Sequence, residues 1–588
     1  MLALVLAACL ALLTLVPPLQ SPDEHDHVRR AYGLLNGVLL LEAPSGKMSG
    51  LAVDTGLESY LQTYYVKYMR DRAGKLTLEE MAQAEAIRWS HVTQFGEAPG
   101  TGYYFPLIYA PQALGLALGR AMDLNVDLSY RLARGCALLA SVLLAAAAFR
   151  LARPPIGVLA LLLLPMTLFQ WSAASIDGVS TGWALLAIAS FLALVDERRQ
   201  GPRRRGMALP LLLALSLLLL VGSRVHMLPM LLLPFVAWAL TRRRDVLVAG
   251  LLALVLTLLW LAVALSHTVD TRLTRDVTTA AVAQQYLRDP GEFFANLWNT
   301  LIDPRGGEFF FDSFIGVLGW LDVRLPEATV LALGLLLAAA AVLGSSASAV
   351  FEAPLVRTSL MACAVASFML VFAALAITWN SSPTDFIEGV QGRYFIVPAL
   401  CLAYALAPGP APIGALPRAL AWLCCAALGA LSIVTTIDTI ARTYLVSESA
   451  SAPAPAATNE RGPLLAAGGT LALAIPPSQV QAPQTITHLA VLFDTQGQAL
   501  PGQAELRLRA DDGSVVQRRF VLADLADQRY RQFDVPPGRY VSVQIASIDG
   551  SGLSVRQVSA TGPVPGMACL MWGDARQQLT LMPGCPAP

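Results

Sequence analysis

The sequence predicts a polytopic α-helical membrane protein of about eleven transmembrane helices, ending in a small extracytoplasmic β-sandwich. Three observations predict it. Of 588 residues, 55% are hydrophobic and only 14% are charged, with a mean hydropathy of +0.56. Soluble domains carry about a quarter charged residues, so the depletion is strong. Long apolar runs at 209–221, 246–265 and 331–343 alternate with short loops that hold most of the arginine, the pattern of a chain solvated by lipid. After residue 458 the pattern changes to short apolar runs with period two. The 41 basic and 41 acidic residues balance, so no basic field marks the chain for nucleic acid.

Apolar periodicity places spans near 1–19, 130–150, 155–174, 178–195, 207–222, 226–241, 246–266, 328–344, 359–379, 393–408 and 419–439. The pair at 207–222 and 226–241 also reads as one broken hairpin around Gly222-Ser223-Arg224-Val225-His226. Residues 1–17 lack a leading Lys or Arg and an A-x-A site, which predicts a retained first span rather than a cleaved signal peptide. That span is short, which leaves room for a start upstream of Met1. Three short loops are rich in arginine: Arg150 and Arg153; Arg198, Arg199, Arg203, Arg204 and Arg205; and Arg242, Arg243 and Arg244. The positive-inside rule puts them in the cytoplasm, together with the N-terminus. Loops 20–129 and 267–327 and the C-terminal region then lie outside a cytoplasmic (inner) membrane.

The expected transmembrane domain covers 1–440. Residues 447–462 form a Pro/Ala/Ser linker, and 463–588 form the sandwich. Strands are expected at 485–493, 504–509, 514–520, 530–535 and 540–548, with 463–475 supplying a first strand. Turns fall at Asp512-Gly513, Pro537-Gly538 and Asp549-Gly550. Six of the eight cysteines lie in apolar runs and read as small hydrophobes, whereas Cys569 and Cys585 lie in polar sequence and suit a disulfide in an oxidising compartment.

The chemistry-bearing residues begin where the first span ends. Ser21-Pro22-Asp23-Glu24 is a helix start of the S-x-x-E type, and Asn36-Gly37 is its stop. Asp23 and His27 then share one helix face, and Asp26 is expected to pair with Arg30. Two readings stand for this cluster. Acidic residues in a first turn are favoured by the helix dipole alone. A cleft there would instead use a carboxylate as general base, or Asp23 and His27 as part of a divalent-metal site. Asp177 lies at the outer end of a hairpin of spans, as a functional ionisable group at membrane depth or as a turn residue before Gly178. Arg224 and His226 sit at the next outer hairpin, as phosphate anchors or as snorkelling interfacial groups. Gln391-Gly392-Arg393-Tyr394 opens a later span, where Arg393 suits either a phosphate or the membrane interface. The loop 309–326 is too aromatic for a free solvated loop and is expected in the interface or over the cleft.

Pro22-Asp23-Glu24-His25-Asp26-His27 with Arg30, Tyr109-Ala110-Pro111-Gln112 with Gly115, Leu318-Gly319-Trp320-Leu321-Asp322 with Leu325-Pro326, and Gln391-Gly392-Arg393-Tyr394-Phe395 together resemble one family. It is the bacterial predicted membrane protein family, domain of unknown function 2142. Pro165-Met166 with Ala174-Ser175-Ile176-Asp177 fits the same pattern, and the resemblance covers 1–440. That family is similar in layout to the GT-C glycosyltransferases, which use polyprenyl-phosphate sugars. The resemblance implies Asp23 or Glu24 as general base, Asp177 as a second acidic group and Arg393 as a phosphate contact. His27, Arg30, Arg224, His226, Gln391 and Tyr394 complete the expected substrate contacts. The implied activity is inverting sugar transfer from a polyprenyl-phosphate donor to a cell-surface glycan, lipid or protein acceptor. A flippase for lipid-linked saccharide and a non-catalytic glycan-binding subunit are the alternatives.

Overall fold

The computed structural model divides into two compact units, Met1–Ser447 and Glu448–Pro588. It describes residues 1–70, 78–200, 206–272, 279–346, 353–380, 384–407 and 414–445 of the first. Of the second it describes 459–461, 464–474, 486–495, 498, 500–510, 512–525, 529–538, 540–549, 551–558, 567–574 and 579–581. The arginines expected at 203–205 lie outside the described residues.

Among the described residues, five helices are long and apolar enough to cross a membrane: Val126–Leu151, Asp177–Asp196, Arg244–His267, Pro354–Thr378 and Ala415–Tyr444. At about 1.5 Å per residue such helices match a hydrocarbon core of about 30 Å. Five shorter apolar helices accompany them: Leu2–Leu15, Ala208–Val221, Val225–Thr241, Glu327–Leu343 and Gly392–Ala405. The Asp177 helix is 78% buried across its apolar window, against 28–39% for the other four long ones. It packs against the Val126, Ala208 and Leu233 helices, the Val126 helix being the one other long helix among these. Leu251, Val255, Leu258 and Leu259 stay exposed on the Arg244 helix, as a lipid-facing surface requires.

The single span expected at 155–174 is instead two short buried helices, Ile156–Leu162 and Pro165–Trp171. Pro165 supplies no N–H and pushes Leu164 into an extended conformation, so the helix breaks there. Side chains take up the freed carbonyls. Thr167 Oγ1 donates to Leu161 O at 2.8 Å, and Ser432 Oγ donates to Leu163 O. At 222–225 the chain also breaks, and a 3₁₀ segment Val225–Leu232 containing Pro229 leads into the helix Leu233–Thr241.

The region expected as outer loop 20–129 is a folded lobe. Helices Glu24–Leu35, Thr55–Arg70, Leu78–Glu85 and Ala110–Ala121 surround an antiparallel pair, Gly50–Asp54 with Thr93–Glu97. Val53, Leu57, Tyr60, Leu61 and Tyr64 form its core with Tyr130. Arg29 forks onto Glu58 at 2.6 and 2.9 Å and reaches Asp26 at 2.8 Å. The expected Asp26–Arg30 pair does not form. Arg30, fully buried, donates instead to Val38 O at 3.0 Å and Leu39 O at 2.5 Å, closing the chain that leaves the helix. Between 267 and 327 lie helices Thr279–Arg288, Pro290–Ile302 and Pro304–Ile315 and a hairpin pairing Val317–Leu318 with Val323–Arg324.

The second unit is β-rich. One sheet of four strands runs Thr470–Ala474, Tyr540–Ser547, Gln503–Ala510, Val515–Val521, all antiparallel. The other centres on Ile486–Asp494, which pairs with Arg529–Gly538, Leu570–Asp574 and Ser554–Val558. Val491, Phe493, Leu506, Leu508, Val543 and Ile545 from both sheets enter one core, while Arg507 and Arg509 face out. Cys569 is disulfide-bonded. Cys585, its expected partner, lies outside the described residues.

Helix packing around the site depends on backbone contact at Gly115. A Cβ there would lie 2.4 Å from the Ala133 backbone, whereas one at Gly135 meets nothing within 4 Å. Gly115→Ala is expected to destabilise the purified protein by about 1–3 kcal/mol through overpacking. Gly135→Ala is expected to leave the thermal midpoint equal or higher, and equal midpoints for both variants would contradict the packing.

Candidate functional site

The site is assembled from four separate stretches of sequence. Asp177 opens the central helix, where a carboxylate complements the partial positive charge of the exposed N–H groups. Gly178 lets the end of the preceding helix come close, since a Cβ there would sit 3.1 Å from Trp171 Cα. Arg224 emerges from the break after Gly222 and donates through Nη2 to Asp177 Oδ1. Its guanidinium lies 5.7 Å from the Tyr104 ring centre, a cation–π distance.

Arg393 approaches Asp177 from the opposite side, 3.6 Å from Nη1 to Oδ2. Its place is set by Gly392, where a Cβ would fall 2.0 Å from Phe314 N. Gly392 N donates to Ser313 Oγ at 2.8 Å, so the start of this helix is fastened to the Pro304–Ile315 helix. Asp177, Arg224, His226, Arg393 and Tyr394 line a small recess that is partly open to solvent. The His226 and Tyr394 rings lie 6.2 Å apart.

Asp23 reaches this group from the 20–129 lobe. Its backbone is left-handed, φ 61°, an arrangement Asp tolerates better than most side chains. Its carboxylate is 53% exposed and lies 3.8 Å from Arg393 Nη2. Glu24, next in sequence, has the opposite fate. It is buried and accepts from Ser21 N at 3.1 Å, Tyr130 Oη at 2.8 Å and Ala174 N at 2.6 Å. Ser21 N to Glu24 is one half of the expected capping box. The other half is absent, because Ser21 Oγ donates to Gln170 and Asp23 occupies the cap position. Glu24 thus ties the Asp23 turn to the turn that precedes Asp177.

His27 meets the site through aromatic rings. Its Nδ1 lies 2.8 Å from Tyr109 Oη, and its ring is 6.0 Å from Tyr104, which carries Arg224. Gln391 precedes Arg393 as its helix cap without lining the recess, and Arg30 lies elsewhere in the lobe. Trp171, Tyr104 and Ser180 belong to the site without having been expected. A lone Trp, Tyr or Ser in apolar sequence carries no spacing signal. Among the described residues no group of three His, Cys, Asp or Glu converges in the way a metal ion needs.

The family model for a predicted membrane protein (DUF2142) matches residues 5–403. The chain belongs to this family. The matched stretch holds Asp23, Asp177, Arg224 and Arg393, and the family model ends before the β-rich unit. No curated protein matches the chain. Among solved structures, the cryo-EM structure of the arabinosyltransferase EmbB from Mycobacterium smegmatis is similar, with a TM-score of 0.31 and 13% identity. The match covers 95% of this chain and 64% of that one, so the chain spans less than two thirds of that enzyme.

Burial sets the protonation of the lobe. It pushes His25 and His27 each down to about 3, with Arg29 adding repulsion at His25. Burial lifts Asp26 to about 6 against the pull of Arg29. Glu58 is also penalised by burial, but the Arg29 fork brings it below its usual range. An unfolded histidine binds a proton near pH 6.5, so the unfolded chain holds more protons between about 3 and 6.5. Stability from the two histidines is complete above that window and is lost as pH falls through it. Asp26 has the opposite sign below about pH 6 and offsets one of the two. The thermal midpoint is therefore expected to fall between pH 7 and pH 5, and a flat profile would mean that the imidazoles are not held neutral.

Proposed function

We propose that the protein is a GT-C-like membrane glycosyltransferase that moves a sugar from a polyprenyl-phosphate donor to a cell-surface glycan, lipid or protein acceptor. One observation carries this reading. Two buried guanidinium groups, Arg224 and Arg393, converge on a recess beside the apolar helices, with the half-exposed Asp23 carboxylate at Arg393. The arginines suit the phosphate of the donor, and Asp23 suits the acceptor.

In this reaction Asp23 removes the proton from the acceptor hydroxyl as its oxygen bonds to the anomeric carbon. The carbon–oxygen bond to phosphate breaks on the opposite face, with inversion, and its electron pair leaves on the polyprenyl phosphate. The donor phosphodiester carries one negative charge and the leaving monoester develops a second. Stabilisation by Arg224 and Arg393 therefore grows toward the transition state, which is where it accelerates. Asp177 orients both arginines, His27 and His226 supply neutral polar walls, and Tyr394 covers the phosphate side. Glu24 acts in this reading as a positioning residue. Arg30 contributes through the backbone carbonyls it holds, and Gln391 by preceding Arg393 at the helix start.

An apolar groove of about 340 Å³, lined by Leu228, Leu232, Phe235, Leu254, Ala362 and Ala366, suits the isoprenoid chain. The 3₁₀ segment Val225–Leu232 lines the recess with His226 and Met227 and the groove with Leu228 and Leu232, so phosphate and tail have adjoining places. The proposed topology has about eleven spans in a bacterial cytoplasmic membrane, with a cytoplasmic N-terminus. Residues 463–588 form an extracytoplasmic β-sandwich that binds the acceptor glycan.

Asp23→Asn should lower sugar transfer in membranes by about 10²–10⁴-fold, the usual worth of a general base. Arg393→Lys should lower it too, because an ammonium cannot fork onto phosphate. Transfer measured with radiolabelled lipid-linked sugar at wild-type rate in Asp23→Asn would overturn the reading.

A further inference from the structure

We propose that Trp171 Nε1, Ser180 Oγ and Arg393 Nε form a three-donor subsite that binds the oxygens of a phosphate group. All three residues line the recess. Trp171 is 1% exposed, Ser180 2%, and the Arg393 side chain 5%. None of these three polar atoms has a hydrogen-bond partner among the described residues. Buried donors are nearly always satisfied, and an unsatisfied one calls for a ligand, an ion or an ordered water. Three around one recess indicate a common acceptor.

The chain brings them together through contacts already described. Ser180 lies one helical turn after Asp177, and Trp171 ends the helix that packs on Gly178. Arg393 reaches the same turn through Asp177. All three atoms are donors or, for the hydroxyl, can be, so the missing partner is an acceptor. Charge narrows its chemistry. Inside the recess Arg224 and Arg393 face one enclosed carboxylate, Asp177, while the second, Asp23, pairs with Arg393 only at 3.8 Å and is half in solvent, so positive charge predominates there. A neutral hydroxyl or a water would satisfy the donors without adding to that weak pairing. An oxyanion carrying about one negative charge supplies both the acceptors and the balance. The proposal rests on the lipid-linked donor of the preceding section and assigns the place of its phosphate.

The test is binding rather than transfer, which keeps it separate from the role of Asp23. The full-length protein in nanodiscs is titrated with farnesyl phosphate, farnesol and inorganic phosphate. Wild type should bind farnesyl phosphate, with Trp171→Phe and Ser180→Ala each weakening it about 3–10-fold while farnesol uptake stays unchanged. Both variants should keep or raise the thermal midpoint of the ligand-free protein, because each deletes an unsatisfied buried donor. If Trp171→Phe fails to fold, Ser180→Ala alone decides. Inorganic phosphate binding with the same dependence on Trp171 and Ser180 would support the subsite and show that the lipid is dispensable. Wild-type affinity for farnesyl phosphate in both variants would overturn the proposal, as would its failure to bind wild type. A normal Asp23→Asn transfer rate would overturn the proposed reaction and leave this result standing.

Discussion

Two largely buried arginines stand at the end of apolar helices, and Asp177 is what makes them tolerable. Each guanidinium removed from water forfeits several kcal/mol of solvation unless charge and hydrogen bonds replace it. Asp177 takes Arg224 as a hydrogen-bond donor and holds Arg393 at ion-pair distance. It does so from the first turn of the most deeply buried long helix. Removing it would leave two like charges facing each other across the recess. The site residues on other segments depend on this one carboxylate for their arrangement.

The 20–129 lobe repeats the device with a different outcome. Glu24 spends its carboxylate on Ser21 N, Tyr130 and Ala174 N, stitching together residues up to 150 positions apart. Its neighbour Asp23 is left with half its surface in solvent. Adjacent carboxylates thus take different parts, one structural and one accessible, because a helix start turns successive side chains in different directions. Arg29 performs the same stitching deeper in the lobe, between the Glu24 helix and Glu58 on the next one. The Asp23 turn is consequently held from both sides of the lobe.

Much of the helical and β-rich layout was legible because it is written in periodicity. Apolar runs placed the long helices, and period-two alternation with Asp-Gly turns placed strands such as Gln503–Ala510 and Val515–Val521. Proline in an apolar run was harder to weigh, so 155–174 read as one span although Pro165 divides it. Asp23, Asp177, Arg224 and Arg393 stood out because charge is conspicuous in apolar sequence. Their partners did not. Which arginine Asp26 takes, Arg29 or Arg30, depends on a Glu58 that tertiary folding supplies. Trp171 and Ser180 become noticeable only as donors without acceptors, and that is a property of packed space rather than of sequence.

The unequal surroundings of the two acidic groups bear on which of them would move a proton. Asp177 already accepts from Arg224 and faces Arg393, so in the proposed reaction protonating it would uncouple both cations as the phosphate leaves. Asp23 has one cation at 3.8 Å and open solvent on the other side. In the proposed reaction, proton uptake there would also free Arg393 to turn wholly toward the departing phosphate. Proton uptake and phosphate stabilisation would then reinforce each other through a single side chain. That coupling gives the Asp23–Arg393 contact a reason to be loose. A tight, bidentate pair would hold the arginine back from the charge that develops inside the recess.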